Sequence, residues 1–396
     1  MKNLKNVIIF SIILSTMLSC PKENDFNQRI DLPEITPGLR DTLENYLVEH
    51  YMNPEDYVVN MFTDHDIVFT GEYHRIKHDL ALIHNLIPRL YENGIFTLGI
   101  EFARKEDQSL IDSLLKGMTY DESLAQRILF NFMPTWGYQE YADIYKVVWQ
   151  LNNTIPEGSR RFHVLGLNGS LDWSIVKTPD DMNNPSIMQQ VWKDNGEDLW
   201  AKVIMDSVVA KGEKALIYSG IHHAFTEYKQ PIYDDSKMVF TGYNTARMGN
   251  YIFNKIGKKA VTICLHFPWY SEKGYIESYV YPADGIIDAV MAKITSDYRQ
   301  AGFDTKNTPF GKLTGETSVY KYGYNNFTLD MFCDGYIFQM PLSAYNGVTA
   351  IEDFINETNI EQARIQEPYL RNASIEEFNR VIKEAADIKK RFVTFW

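Results

Sequence analysis

Residues 66–74 have the sequence DIVFTGEYH, in which a short apolar run stops at Gly71 and a histidine follows three residues later. A second apolar run, ALIY at residues 215–218, is followed by the same spacing, Gly220 and His223. Open α/β sheets bind ligands where the carboxyl ends of their parallel strands meet. Two β-like segments that each end in a glycine and an imidazole therefore predict a site at one edge of such a sheet.

Three more strand-like segments also close on polar side chains. These are Glu101 after residues 96–100, Asn168 after residues 162–167, and His266 after residues 260–265. Between the first strand and the strand of Glu101, residues 79–91 have apolar side chains at helical spacing, and Gly94 ends the helix. This is a strand–helix–strand unit, so we expect His74 and Glu101 to lie on parallel strands at the same sheet edge.

The whole pattern predicts an α/β fold, with a mainly parallel sheet flanked by helices on both faces, inserted loops and a C-terminal helix. Further helices are predicted near residues 41–52, 54–61, 105–116, 121–130, 138–151 and 246–256. Two segments, near residues 170–199 and 267–333, have the composition of insertions and are rich in aromatic side chains. Those aromatics could stack on a flat ligand or a sugar, or pack the loops onto the body. A capping box at Ser374–Glu377 begins the last helix, which we interpret as structural.

The N-terminus is typical of an exported protein. Lys2 and Lys5 precede an apolar stretch at residues 7–14, which is too short to span a membrane, and small residues precede Cys20. A cysteine at this point resembles a bacterial lipobox, although an ordinary cleaved signal is the alternative. We predict a signal peptide at residues 1–19, lipidation of Cys20, a tether at residues 20–38, and a single α/β domain over residues 39–396. The protein would be lipid-anchored in the bacterial cell envelope, at the outer membrane or cell surface.

The charge of the chain excludes one class of partner. The formal net charge is −13, and loss of Lys2 and Lys5 with the signal peptide, which carries no acidic residue, changes it to −15. A chain this acidic has no electrostatic attraction for nucleic acid, so the expected partners are the membrane, through the lipid, and a small-molecule or peptide ligand. The remaining cysteines, Cys264 and Cys333, lie in apolar surroundings and are predicted to be buried free thiols.

The candidate catalytic residues are Glu72, His74, Glu101 and His223. Two neutral imidazoles and a carboxylate (His74, Glu101 and His223) suit a divalent ion such as Zn²⁺ or Mn²⁺, which could activate water for attack on a carbonyl group. Glu72 or Glu101 could accept the proton of that water. Four residues are candidates for a supporting role at the site: His78, Asn168, His222 and His266. The sequence leaves open which of the adjacent histidines, His222 or His223, faces the cleft.

Because side chains at the open end of a strand contribute little to the core, we expect replacement of His74 or His223 to abolish function and leave the fold intact. The sequence contains no Gly-x-Ser-x-Gly elbow, no His-Glu-x-x-His helix and no phosphate-binding loop. These absences disfavour a serine hydrolase of the common type, a zincin and a nucleotide-binding enzyme.

Taken together, several motifs resemble the superfamily that unites ChaN-like haem-binding lipoproteins, erythromycin esterases, and the Tiki and TraB proteins. The resemblance covers roughly residues 64–270. It is carried by the Gly-Glu-x-His motif at residues 71–74, the Gly-Ile-Glu strand end at 99–101, the helix that follows residue 107, the VLGLN segment at 164–168, and the Gly-x-x-His motif at 220–223. The ChaN branch, itself made of lipoproteins, is the most similar.

The resemblance implies two kinds of function. The Tiki-like branch implies a divalent-metal-dependent peptidase and the erythromycin-esterase branch an ester hydrolase, with roles that fall on His74, Glu101 and His223 and with Glu72 as a further carboxylate. The ChaN branch instead implies haem binding, for which no ligand can be assigned among twenty-five tyrosines. Three hypotheses follow: a metal-dependent or acid/base hydrolase, a haem- or iron-compound-binding lipoprotein, and a non-catalytic surface interaction protein.

Overall fold

The computed structural model describes residues 29–234, 237–273 and 278–396. The predicted signal peptide, Cys20 and the first part of the tether lie outside these residues. Within the described ranges, no helix has both the length and the apolar character needed to cross a membrane.

Seven strands form the central sheet: β1 (Ile67–Glu72), β2 (Thr97–Arg104), β3 (His163–Asn168), β4 (Ala215–Gly220), β7 (Ala260–Leu265), β10 (Ala301–Asp304) and β11 (Gly335–Phe338). Their order across the sheet is β10-β11-β7-β1-β4-β2-β3. Six run parallel, and β10 at one end is antiparallel to β11. Two small antiparallel ribbons stand apart from it, β5 (Gln230–Asp234) with β6 (Val239–Asn244), and β8 (Trp269–Tyr270) with β9 (Tyr279–Val280).

Helices connect the strands and cover the sheet. In chain order they are α1 (Pro37–Glu49), α2 (Pro54–Met61), α3 (Lys77–Glu92), α4 (Gln108–Lys116), α5 (Glu122–Phe132), α6 (Gln139–Thr154), α7 (Pro185–Val191), α8 (Glu197–Ser207), α9 (Ile221–Ala224), α10 (Met248–Ile256), α11 (Ile286–Met291), α12 (Leu329–Phe332), α13 (Ile360–Gln366), α14 (Ile375–Ala385) and α15 (Ile388–Arg391). Local sequence fixes several of their starts. Asn53 caps α2, and the predicted capping box of Ser374 and Glu377 begins α14.

The sheet has a hydrophobic core on each face, because successive side chains of a strand point in opposite directions. In β1, Val68 joins the core under α3 to α6, whereas Ile67 and Phe69 join the core under α1, α8 and α10. All six residues of β1 are buried, as expected for a central parallel strand. The predicted fold class, a mainly parallel sheet with helices on both faces, is therefore confirmed.

The strand order brings the motifs together. β1 and β2 are parallel, as the strand–helix–strand pattern predicts, but they are not neighbours. β4 lies between them and is parallel to both. The segment after β4, which carries His223, is consequently placed between the segment after β1, which carries His74, and the strand β2, which carries Glu101.

The two predicted insertions differ in structure. Residues 170–199 hold α7 and form a small separate core around Val176, Met188 and Val191. Residues 267–333 are more than a loop, since they supply β10 to the main sheet.

β2 also continues past Glu101 to Arg104, with a register shift against β3, so Glu101 lies within the strand.

Candidate functional site

The first part of the site is a hydrogen-bonded pair formed by His74 and Glu72. Nδ1 of His74 lies 2.8 Å from Oε1 of Glu72. The Glu72 side chain is fully buried, whereas 24% of the His74 side chain is exposed. The pair thus has a buried carboxylate behind an imidazole that solvent can reach. Phe102 and Trp136 stand edge-on to the His74 ring, with ring centres 5.6 and 5.2 Å away, and form its apolar walls.

Two tyrosines hold the carboxylate of Glu72 in place. The Tyr141 hydroxyl donates a hydrogen bond to Oε1 over 2.7 Å, and the Tyr218 hydroxyl donates to Oε2. Burial and the nearby charge of Glu72 raise the pKa of both phenols well above the ordinary value, so both remain donors. A buried carboxylate needs partners of this kind, because an unsatisfied buried charge is strongly destabilising.

The backbone after His74 is strained. Arg75 has a φ of 72°, a left-handed conformation that non-glycine residues rarely adopt. Its N–H donates to the Tyr141 hydroxyl over 3.1 Å, and Tyr141 in turn donates to Glu72. One phenol therefore fixes both the carboxylate and the strained peptide that orients His74. Backbone strain of this kind is concentrated at functional sites, where it holds a side chain in a defined orientation.

The second part of the site is His223, which is held between two carboxylates. Its Nδ1 lies 2.8 Å from Oε1 of Glu197, and its Nε2 lies 3.3 Å from Oε1 of Glu101. Burial alone would lower the pKa of His223, but the two carboxylates raise it to about 10. The imidazole is thus a buried cation at neutral pH. Of the two adjacent histidines, His223 rather than His222 contacts Glu101.

The carboxylates on either side of His223 are ionised for the same reason. Burial would raise the pKa of Glu101, yet the charge and hydrogen bond of His223, with smaller contributions from His74 and the Gly220 N–H, lower it to about 2. The pKa of Glu197 is also lowered despite burial, first by His223 and then by Arg247. Nη1 of Arg247 lies 2.8 Å from Oε1 of Glu197.

Gly220 joins the two parts of the site. Its N–H donates to Oε2 of Glu101 over 2.8 Å. A Cβ atom at this position would lie 2.7 Å from Cε1 and 3.1 Å from Nε2 of His74, and 3.5 Å from Oε2 of Glu101. The absence of a side chain at Gly220 lets the imidazole of His74 approach the carboxylate of Glu101. The four predicted catalytic residues are therefore brought together at one sheet edge.

Asn168 and His222 lie beside this group. Oδ1 of Asn168 accepts from Nδ2 of Asn195 over 2.8 Å, and Asn195 also accepts from the indole of Trp200, whose ring packs 4.8 Å from His223. Asn168 thus supports His223 indirectly. His222 points elsewhere, with its Nε2 2.9 Å from the Tyr320 hydroxyl, and burial lowers its pKa well below the ordinary value.

The other two candidates do not join the site. His266 contacts the Tyr336 hydroxyl through Nδ1, at 2.7 Å, and Oδ1 of Asp288 through Nε2, at 3.2 Å. His78 packs against Tyr345, with ring centres 4.4 Å apart, and burial lowers its pKa to about 3. Both histidines lie in a separate buried cluster at the next strand end, where they contact Tyr336, Asp288 and Tyr345.

The residues do not fit the predicted divalent metal. Both ring nitrogens of His223 are engaged by carboxylates, and a protonated imidazole has no lone pair to offer a metal ion. Nδ1 of His74 is likewise engaged by Glu72. Within the described ranges, no group of three or more His, Cys, Asp or Glu side chains is arranged to hold a metal. The expected ligand set of His74, Glu101 and His223 instead forms ion pairs.

The expectation that both histidines contribute little to stability also needs correction. It suits His74, which is partly exposed. His223 is only 4% exposed and belongs to a buried chain of alternating charges, formed by Glu101, His223, Glu197 and Arg247. Removing one member of such a chain leaves a buried charge unpaired, which is costly. His223 is therefore a structural as well as a chemical part of the site.

A tyrosine cluster adjoins both histidine motifs. The Tyr73 and Tyr279 hydroxyls are 2.9 Å apart, and Tyr270 lies near both rings as well as near His222. Tyr270 and Tyr279 come from the predicted aromatic insertion, which therefore does reach the site.

A separate pocket of about 320 Å³ lies at the opposite sheet edge, beside Phe162 and His163 at the start of β3, and is remote from these residues.

Comparisons with known proteins identify the fold. No protein-family model matches the chain, and no curated protein matches it in sequence. Among solved structures, a succinoglycan biosynthesis protein is 12% identical over 79% of this chain and 98% of its own, with a TM-score of 0.51. ChaN of Campylobacter jejuni with cofacially bound haem is 15% identical over 59% and 94%, with a TM-score of 0.36. An erythromycin esterase in an open conformation is 12% identical over 71% and 92%, with a TM-score of 0.44.

The likeness to the succinoglycan biosynthesis protein is one of fold. At such low identity, the assignment of a reaction has to come from the residues of this chain.

Proposed function

We propose that the protein is a hydrolase that cleaves an ester or peptide bond by general acid–base chemistry at His74. One observation carries the proposal. Nδ1 of His74, whose side chain is partly exposed to solvent, lies 2.8 Å from Oε1 of the buried Glu72. A carboxylate that orients an imidazole and stabilises its protonated form is the arrangement by which enzymes make histidine an effective base.

The expected sequence of proton transfers follows from the contacts. With Nδ1 of His74 donating to Glu72, Nε2 can take a proton from water as the water attacks a carbonyl carbon. Glu72 and the ionised Glu101 then stabilise the imidazolium that forms. The same imidazolium can return its proton to the leaving alcohol or amine. His223 holds Glu101 in its ionised form throughout.

Replacement of His74 by alanine tests this proposal. Activity would be measured on a panel of nitrophenyl esters and chromogenic peptides, together with a melting curve for each variant. We expect His74→Ala to reduce the rate by about 10²- to 10⁴-fold with only a modest loss of Tm, because Tyr141 and Tyr218 still donate to Glu72. His163→Ala is the matched control, because this exposed histidine begins β3 at the opposite sheet edge. A substrate cleaved equally well by His74→Ala and the wild type would refute the assignment of His74 as the base.

Haem binding is the second candidate, and the tyrosine cluster favours it. Tyr73, Tyr270 and Tyr279 lie together beside His222, and tyrosine and histidine are both haem ligands in proteins. Haem titration of the purified protein would produce a Soret band that is lost in Tyr270→Phe if this hydroxyl is a ligand. A spectrum that is only the sum of free haem and protein would exclude this function.

We further propose that the protein is an exported lipoprotein, anchored to the cell envelope through a lipid on Cys20. The proposal rests on the basic and apolar start of the sequence and on the cysteine that follows it. We expect Cys20→Ala to move the protein from the membrane fraction to the soluble fraction, since a lipid chain on that cysteine would be the anchor. Unchanged membrane association of the variant would contradict it.

A further inference from the structure

A buried guanidinium group with no counter-ion lies next to His74. Arg75 and Arg247 are equally buried, with 6% and 5% of their surface exposed. Arg247 pairs with Glu197, whereas no carboxylate in the described part of the chain lies within 4.0 Å of Arg75. Buried cations in proteins are normally paired with an anion, whereas the guanidinium of Arg75 lies over the rings of Trp136 and Tyr138.

The position of Arg75 is fixed without using its best donors. Its Nε donates to the Tyr138 hydroxyl over 2.9 Å, and its guanidinium carbon lies 4.2 Å from the centre of the Trp136 ring. Across the described ranges, Nη1 and Nη2 of Arg75 donate no hydrogen bond. These two nitrogens form the planar fork that binds carboxylate and phosphate groups in a bidentate manner.

Trp136 contacts both Arg75 and His74. The same indole ring contacts the His74 ring, with centres 5.2 Å apart, and the guanidinium of Arg75. The indole N–H is buried and has no acceptor within the described residues. Two groups with unused hydrogen-bond donors, the Arg75 guanidinium and the Trp136 indole, thus contact each other beside His74.

A second cation, Arg391, contacts the backbone of His74. Nη1 of Arg391, from α15, lies 3.5 Å from the His74 carbonyl oxygen, and the guanidinium lies over the Tyr73 ring at 5.6 Å. Arg391 also has no carboxylate within 4.0 Å in the described part of the chain. The charge of Arg391 interacts with the hydroxyl groups of Tyr73, Tyr279, Tyr138 and Tyr270. Tyr138 is also the residue whose hydroxyl accepts from Nε of Arg75.

The nearest acidic groups do not neutralise this pair of cations. Glu72 is occupied by His74, Tyr141 and Tyr218. Glu367 senses Arg75, but burial raises its pKa to about 7, and its Oε1 accepts from Thr135. A group that is only partly ionised near neutral pH cannot fully balance two guanidinium groups.

We propose that Arg75, with Arg391, binds an anionic group of the substrate, a carboxylate or a phosphate, beside the bond that His74 attacks. This assignment of substrate class rests on the proposed hydrolase function, but the anion site itself can be tested without catalysis. An anion held against Trp136 would fix the substrate relative to the imidazole. Arg75 and Arg391 are accordingly positioning residues.

The test is anion binding by the full chain, measured as the shift of the melting temperature with inorganic phosphate or with acetate at constant ionic strength, with chloride as the reference. A ligand that binds the native state but not the unfolded state stabilises the protein by RT ln(1 + [L]/Kd), so Tm rises with ligand concentration. We expect phosphate, acetate or both to stabilise the wild type. Arg75→Gln and Arg391→Gln should each weaken the binding about tenfold or more. Response to one anion alone would identify the carboxylate or the phosphate class.

Two controls separate this inference from the proposed function. Arg380→Gln removes an exposed arginine that pairs with Glu384 and should bind the anions like the wild type. His74→Ala should lose activity yet keep the anion response. Arg75→Lys covers the case in which Arg75→Gln fails to fold, and it should bind more weakly because it lacks the fork. The inference is overturned if neither anion stabilises the wild type, or if the Arg75 and Arg391 variants respond as the wild type does, whatever the activity of His74→Ala.

Discussion

Nε2 of His223 lies 3.3 Å from Oε1 of Glu101, and this contact joins the segment after β4 to the neighbouring strand β2. It exists because β4 lies between β1 and β2 in the sheet, although it follows them in the sequence. Glu197 contacts the other ring nitrogen, so the imidazolium has a carboxylate at each end. The ion pair of His223 and Glu101 therefore contributes both to the chemistry of the site and to the stability of the fold.

The pH dependence of stability should report this pair. The pKa of His223 is raised from 6.5 to about 10, so its contribution is complete below about pH 6.5 and is lost as the pH rises through about 10. The pKa of Glu101 is lowered from 4.5 to about 2, so the contribution is present above about pH 4.5 and is lost as the pH falls through about 2. Both pKa shifts describe the ion pair between His223 and Glu101. Its contribution to stability is therefore complete between about pH 4.5 and about pH 6.5.

Accordingly, we expect His223→Gln to be less stable than the wild type by about 3–5 kcal/mol near pH 6, since it leaves buried carboxylates without their cation. The difference should shrink as the pH rises from about 7 to about 10, where the wild type loses its own imidazolium. Urea unfolding at a series of pH values measures both effects. His163→Gln provides the comparison, and parallel stability curves for His223→Gln and the wild type would show that the pair is not charged as described.

The tyrosines around Glu72 should differ in their importance. Tyr141→Phe removes a hydroxyl that donates to Glu72 and accepts from the strained Arg75 N–H, whereas Tyr218→Phe removes a donor to Glu72 alone. Each variant should lose about 1–3 kcal/mol of stability, because a buried polar group is left unsatisfied. We expect the larger loss of activity for Tyr141→Phe, since it also releases the peptide that aims His74. Equal rates for the two variants would argue against that second role.

Much of the fold could be predicted because short sequence patterns determine the positions of its strands and helices. The apolar run of β1, the helical spacing before Gly94 and the capping box at Ser374 each depend on a few consecutive residues, and the structure has the corresponding elements there. The glycine and histidine motifs also marked the correct strand ends. β10 and β11 were missed because each has only four residues, which is too short for a periodic pattern to be distinguished from a loop.

The supporting residues of the site could not be predicted in the same way. Glu197 and Arg247 lie far apart in sequence from Glu101, and only the folded chain brings them to His223. Arg391 belongs to a C-terminal region that we interpreted as structural, yet it contacts the His74 carbonyl. The metal prediction erred for a related reason. Residue types alone cannot show whether a carboxylate and an imidazole will bind a common ion or bind each other.

The two thiols should be unreactive in the native protein. Cys264 and Cys333 are both free and buried, and burial raises the pKa of Cys264 well above its usual value. Because the thiolate is the reactive form, we expect a thiol reagent such as Ellman's to label neither residue until the chain is unfolded. The measurement compares labelling with and without denaturant, in a Cys20→Ala background. Rapid native labelling of either cysteine would mean that the core around β7 opens readily.

Gly220→Ala offers a direct test of the geometry on which the proposed chemistry depends. The backbone of Gly220, with φ of −54° and ψ of 141°, suits alanine, so the substitution adds no backbone strain. The new methyl group, however, would meet the His74 ring at 2.7 Å and force it to move. A displacement of about 1 Å from productive geometry can cost about 10²-fold in rate, and we expect a loss of that order.

The loss from Gly220→Ala should appear without extensive unfolding, because the ring of His74 is partly exposed to solvent. Gly38→Ala is the matched control, since no atom lies within 4 Å of a Cβ at that position in α1. Steady-state rates and melting curves for the two variants would separate misplacement of the imidazole from general damage. If Gly220→Ala retained full activity, His74 would not need its place beside Gly220 and Glu101, and its role as the base would have to be abandoned.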